Sequence, residues 1–300
     1  MPFTPTSTEA SLPELSGFDA WESAAILGML LAGQRRALDA VERALPAIAE
    51  AAATVAARVG SGGRLFYAGA GTSIRVGVQD GSELPATFGM SEEKLGYLIA
   101  GERAAMFETL ADAEDNEEAG RAAAQACTAK DVLIAIAASG RTPYTIAAAQ
   151  VARQNGCAVI AVVNNAGSPL GLAADLEVLI DSGPEVISGS TRLAAGTAQK
   201  ATLNLISTLA FTRLGAVHDG LMVNVQAGNS KLEQRARHIV MKIAGVSEDK
   251  ARAALRITHH DIKPAVLLCK GMPDFAAAQK LLADTKGNLR LALSKLSTSV

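Results

Sequence analysis

Five short runs of almost unbroken apolar residues, at 64–68, 95–100, 131–138, 158–164 and 176–181, are separated by stretches in which apolar positions recur every three or four residues. Runs of Val, Ile, Leu and Ala without polar alternation predict strands buried on both faces. The longer period near 72–80, 103–127, 143–155 and 196–214 predicts the helices between them. Strand and helix in alternation make an α/β fold, a doubly wound parallel sheet. In such sheets ligands bind beyond the carboxyl ends of the strands, so the loops after residues 68, 138, 164 and 181 are expected to converge on one crevice.

The flanks read differently. Residues 1–17 are rich in Ser, Thr and Pro and predict an extended arm. From Phe18 to about Gly60 the pattern is helical, with a break expected near Gly33 and a long second helix carrying Val41, Leu45, Ile48, Ala52 and Val55 on one face. Beyond about Gly228 the strand pattern stops, and short helices are predicted over 230–244, 247–257, 261–270, 274–284 and on to about 296. Three regions follow: an arm with helices over 1–55, the sheet domain over 56–228 and a helical domain over 229–300.

Composition narrows the chemistry. Hydrophobic residues make up 49% of the 300 and aromatic ones 4%, so Ala, Leu, Val and Ile must build the core. With 28 basic and 30 acidic side chains the net charge is −2, and no block of like charge stands out, so no nucleic-acid partner is expected. No run is long and apolar enough to predict a membrane span, and the N-terminus lacks the basic start and apolar stretch of a signal peptide, which points to the cytoplasm. Cys127, Cys157 and Cys269 sit far apart in or beside apolar stretches and read as reduced packing residues. His259-His260 is the one histidine pair, read first as polar residues at a helix junction, and no metal or other cofactor is called for.

Two glycine-hydroxyl loops carry the candidate chemistry. The first, Gly71-Thr72-Ser73, follows the first strand and opens a helix. The second, Ser139-Gly140-Arg141-Thr142, follows the third strand and precedes Pro143. Glycines admit a ligand close to the backbone, and hydroxyls with free N–H groups at a helix start suit a phosphate without any metal. A third stretch places Ser188, Ser190 and Thr191 between the last strand and an apolar helix, where they either line a sugar site or cap that helix.

The order GAGTS, SGRT, then E-x-x-x-x-STR resembles the sugar isomerase domain over roughly residues 55–215. The blocks GRLFYAGAGTSIRVGVQDGSELPATFG, AEDNEEAG, AASGRTPY, SGSTRLAAGTAQK and LMVNVQAGNSKL are similar to those of the N-acetylmuramic acid 6-phosphate etherases, through almost the whole chain. The resemblance implies cleavage of the lactyl ether of a phosphorylated amino sugar by a homodimer. It places Glu83, in DGSELP, and Glu114, in AEDNEE, on the two functional carboxylates, and adds Asn229 and Lys231 to the substrate contacts. Spacing alone does not select these two from Glu93, Glu102, Glu117 and Glu118. The chain departs from the family pattern at Ile74, Ala194, Asn224 and Gly228. A phosphosugar isomerase and a noncatalytic phosphosugar sensor resembling the glucokinase regulatory proteins are the competing readings.

Overall fold

The computed structural model describes residues 7–108, 110, 112–225 and 230–298. The chain divides into two compact units, one made of 1–82 with 93–207 and the other of 83–92 with 208–300.

The first unit is built on a five-stranded, wholly parallel sheet. Its strands are β1 (Leu65–Gly69), β2 (Leu95–Ile99), β3 (Val132–Ala137), β4 (Ala158–Val163) and β5 (Leu176–Leu179), in the spatial order β2-β1-β3-β4-β5. The order reverses between β1 and β3, which is where a doubly wound sheet opens its crevice. All residues of β1, β3 and β4 are buried, as their lack of polar alternation requires.

Strands β1 and β3 feed both layers of the core. Phe66, Leu133, Ala135, Val159 and Ala161 meet Ala148, Ala152 and Ala124 on one face, from helices α5 (Pro143–Gln154) and α4 (Glu117–Ala124). Helix α3 (Gly71–Phe88) lies on the other face, so close that a Cβ on Gly77 would stand 2.9 Å from Ile136 Cδ1. Alanine supplies the depth of contact that ring side chains would block. Helix α2 (Leu45–Gly60) packs on β3 and β5, and the short α6 (Pro169–Ala173) on β4 and β5.

Three expectations are corrected here. Helix α1 (Ser23–Arg43) runs straight through Gly33, and the break falls at Ala44, just ahead of Pro46 in the first turn of α2. Gly33 is a contact point instead, since a Cβ there would lie 3.1 Å from Val186 Cγ2. Of the expected extended arm, residues 1–6 lie outside the described residues, while Ser7–Glu9 make a 3₁₀ turn with Thr8 wholly buried. Between the second and third strands the helical pattern yields only a 3₁₀ turn, Arg103–Met106, before α4.

The second unit holds a small antiparallel hairpin, β6 (Val217–His218) with β7 (Leu221–Met222), too short to show as a strand pattern. Helices α8 (Ser230–Ala244), α9 (Glu248–Ile257), α10 (Ile262–Cys269), α11 (Phe275–Asp284) and α12 (Leu289–Thr298) follow, close to the predicted bounds. Their core gathers Ile239, Val240, Leu255, Val266, Leu267, Leu282 and Leu289. His259 and His260 are exposed in the turn between α9 and α10, both in the left-handed region. No helix among the described residues is long and apolar enough to cross a membrane.

Candidate active site

The two glycine-hydroxyl loops emerge at the carboxyl ends of β1 and β3, neighbours across the point where strand order reverses. Helix α3 starts at Gly71, whose φ of 53° lies in the left-handed region that glycine enters at least cost. The Thr72 hydroxyl takes no partner among the described residues, and Ser73 is buried. Gly140, with φ 64°, leaves no room for a side chain, because a Cβ would sit 2.3 Å from Ser168 Cβ. Ser139 Oγ accepts the Arg141 N–H at 3.2 Å, which leaves its own O–H to donate. Thr142 occupies the N-cap of α5 without its hydroxyl capping the helix.

The Gly71-Thr72 loop opens onto a cavity of about 240 Å³ whose walls include Arg75, Glu108 and Glu114. Glu114 is exposed there, and its backbone carbonyl accepts the Tyr144 N–H at 3.0 Å, tying it to the first turn of α5. The other carboxylates of AEDNEE are engaged elsewhere or face solvent. Glu117 pairs with Arg121 at 2.5 Å along α4, and Asn116 caps that helix through Ala119 N–H. Arg75 is the residue sequence reasoning passed over. Its Nη2 donates to the Ala105 carbonyl at 2.8 Å and the Glu108 carbonyl at 3.2 Å, and its buried Nε–H has no acceptor among the described residues. The available signal was its place four residues after Gly71, on the same face of α3.

A second cavity, also about 240 Å³, is bordered by Ser139 and Arg141 together with Ser7, Asn165, Ser168 and Asp181. The third stretch serves the fold more than the crevice. Buried Glu185 accepts the Ala194 and Ala195 N–H groups, each at 2.9 Å, so the N-terminus of α7 (Ala194–Arg213) carries its own carboxylate. The Ser188 hydroxyl donates to the Glu9 carbonyl at 2.7 Å, and the Thr191 carbonyl accepts Gly196 N–H. Even so, Thr191 lies by the first loop: a Cβ on Gly196 would be 3.3 Å from both the Thr191 carbonyl oxygen and Thr72 Cγ2.

Residues 97–210 match the SIS domain family. Over 96% of its length the chain is 42% identical to the N-acetylmuramic acid 6-phosphate etherase of Streptomyces avermitilis, covering 93% of that protein. It is 41% identical to the etherase of Serratia proteamaculans, over 96% of this chain and 98% of that one. For the etherase of Symbiobacterium thermophilum the identity is 45%, over 87% of each chain. The chain belongs to the N-acetylmuramic acid 6-phosphate etherase family.

Within this family frame the remaining residues can be placed. Glu83 belongs to the second unit, exposed on α3 one turn beyond Asp80. Lys231 is exposed in the first turn of α8, and Asn229 and Gly228 lie outside the described residues. Two of the departures from the family pattern are core positions: Ile74 is fully buried and Ala194 is 3% exposed. Asn224 donates to the Phe88 carbonyl at 3.1 Å inside the second unit. Among the described residues no cluster of three or more His, Cys, Asp or Glu could hold a metal.

Proposed function

We propose that the chain cleaves the D-lactyl ether of N-acetylmuramic acid 6-phosphate, giving N-acetylglucosamine 6-phosphate and D-lactate. One observation carries the reading: in a member of this etherase family, Glu114 shares a cavity wall with the Gly71-Thr72 loop and Arg75. The chemistry asks for such a base. In the opened sugar the C1 aldehyde acidifies the C2 proton; Glu114 removes it, the C3–oxygen bond breaks, and the departing lactate oxygen takes a proton from Glu83. Water then adds across the C2–C3 double bond, its hydroxyl to C3 and its proton to C2. Each positioned acid or base contributes on the order of 10²–10⁴-fold. The 6-phosphate is assigned to Ser73, Ser139 and Thr142, with Gly71, Thr72, Gly140, Arg141, Ser190, Thr191, Asn229 and Lys231 as further substrate contacts.

A homodimer belongs to the same proposal. Leu27, Leu31 and Leu38 recur along one face of α1 and are 65%, 50% and 50% exposed, a stripe that a second copy would cover. Light scattering at micromolar concentration distinguishes the dimer from a monomer.

The direct test is D-lactate release from N-acetylmuramic acid 6-phosphate, followed beside deuterium uptake at C2 in heavy water. Glu83→Gln should keep the exchange and lose the lactate, whereas Glu114→Gln should lose both, each by about 10²-fold or more. Exchange without cleavage in the parent protein would favour an isomerase, and binding without either would favour a sensor.

A further inference from the structure

We infer that the N-terminal turn, Ser7–Glu9, is a strap that positions the SGRT substrate loop by tying its root to the stretch after β5, with Thr8 and Asn165 as its positioning residues. The inference rests on the etherase reading for the identity of the substrate. Its observations are independent of that reading.

Asn165, directly after β4, is 5% exposed and sits at the centre of the contact. Its Nδ2 donates to the Ala138 carbonyl at 2.8 Å and to Thr8 Oγ1 at 3.1 Å, and its Oδ1 accepts Ser7 Oγ–H at 2.8 Å. Ala138 is the residue before Ser139, so one side chain joins the chain start to the root of the SGRT loop. On its other side the turn holds the stretch after β5. The Thr8 carbonyl accepts Gly189 N–H at 3.2 Å and the Glu9 carbonyl accepts Ser188 Oγ–H. The fit is close, since a Cβ on Gly189 would come within 2.7 Å of a Glu9 carboxylate oxygen.

What the turn lacks is as informative as what it has. Thr8 is its one buried residue, and neither Ser7 nor Glu9 adds apolar area to the core. Contacts that are polar, specific and aimed at loops contribute to placement more than to global stability. The chain passes through Ser7 and Thr8 some 157 residues before Asn165, so the strap closes a long loop for three residues' worth of contact. A phosphate held by hydroxyls needs those hydroxyls fixed within a fraction of an ångström, which loops achieve only with support behind them. The strap supplies that support at Ala138 and at Ser188-Gly189 together.

The experiment compares Thr8→Val, which keeps shape and loses the hydroxyl, with Thr8→Ser, which restores it. Thr8→Val should raise KM for N-acetylmuramic acid 6-phosphate about fivefold to tenfold, the scale of one hydrogen bond, with kcat and melting temperature little changed. Thr8→Ser should return KM toward the parent value. Asn165→Ala should raise KM further, and adding Thr8→Val to it should have little extra effect. Calorimetric titration with N-acetylglucosamine 6-phosphate reads the same loss as affinity and needs no turnover. If the parent protein releases no lactate but Thr8→Val weakens that binding, the etherase reading falls and the strap stands. If Thr8→Val stays folded with KM and affinity unchanged, or if its melting temperature and kcat fall while KM and affinity hold, the strap is overturned.

Discussion

The glycine-hydroxyl loops at the carboxyl end of the parallel sheet leave hydroxyls unspent, whereas the carboxylates at its amino end are fully engaged. At the amino end, Asp131 accepts the Arg64 backbone N–H at 2.8 Å, Arg64 Nη2 at 2.8 Å, and the Thr128 N–H and hydroxyl at 2.9 and 2.8 Å. Beside it Asp175 pairs with Arg153 and accepts Val159 N–H. At the carboxyl end the Thr72 and Thr142 hydroxyls have no partner among the described residues, and Ser139 keeps its proton to donate. A hydroxyl left unspent beside a left-handed glycine does nothing for the fold, so the contrast separates groups that hold the protein together from groups that the fold leaves unused.

Glu185 is the place where this comparison is most exposed, because it stands near the carboxyl end yet both its oxygens cap α7. Glu185→Ala leaves two buried N–H groups unpaired and should lower stability by about 2–4 kcal/mol in urea unfolding, with phosphosugar affinity of the folded protein little altered. Lost affinity at unchanged stability would move Glu185 to the ligand side and break the distinction.

Asp131 sharpens it from the other end. Burial alone would push its carboxyl up, but hydrogen bonds from Arg64 and Thr128 outweigh burial and hold it down at about 2. A carboxyl depressed from its usual value contributes stability above about pH 4 and loses it as pH falls through 2, here about 2 kcal/mol. Asp131→Asn should therefore be destabilised at pH 6 and approach the parent protein as the pH falls toward 2. Turnover per folded molecule at pH 7 should be unchanged; a gap that persists at the lowest pH would refute this assignment.

Thr142 gives the smallest effect in stability and the mirror image in binding. An N-cap threonine that bonds its helix loses about 1 kcal/mol on removal. Here no such bond exists, so Thr142→Val should shift unfolding by less than about 0.5 kcal/mol while raising KM about fivefold. A full cap penalty with unchanged KM would show the hydroxyl belongs to the fold.

Much of the sheet is legible in the sequence because fully buried parallel strands leave continuous apolar runs, and β1 to β5 lie within two residues of the predicted bounds. Gly33 misleads because glycine serves equally to break a helix and to admit Val186 against one. The N-terminal turn is opaque because its order comes from Asn165, far away in sequence and reached through polar bonds that leave no periodicity. At the site, the glycine-hydroxyl loops are visible from residue type and position. Glu114 is not: only resemblance selects it from its acidic neighbours, and the structure then sets Glu117 aside by its pairing with Arg121. Glu185 opens the E-x-x-x-x-STR motif and Arg75 stands beside the first glycine loop, yet the partners of both are backbone amides and carbonyls that no side-chain pattern records.

The bond from Tyr144 N–H to the Glu114 carbonyl joins the residue proposed as the base to the first turn of α5, directly after the loop proposed to hold the phosphate. Its neighbourhood admits little slack, for a Cβ on Gly120 would lie 2.3 Å from the Tyr144 carbonyl oxygen. Glu114 and the start of α5 are thereby tied to one another through the backbone. Loosening α5 should misplace Glu114 as well as Thr142, so lesions at the two places should combine to less than their sum.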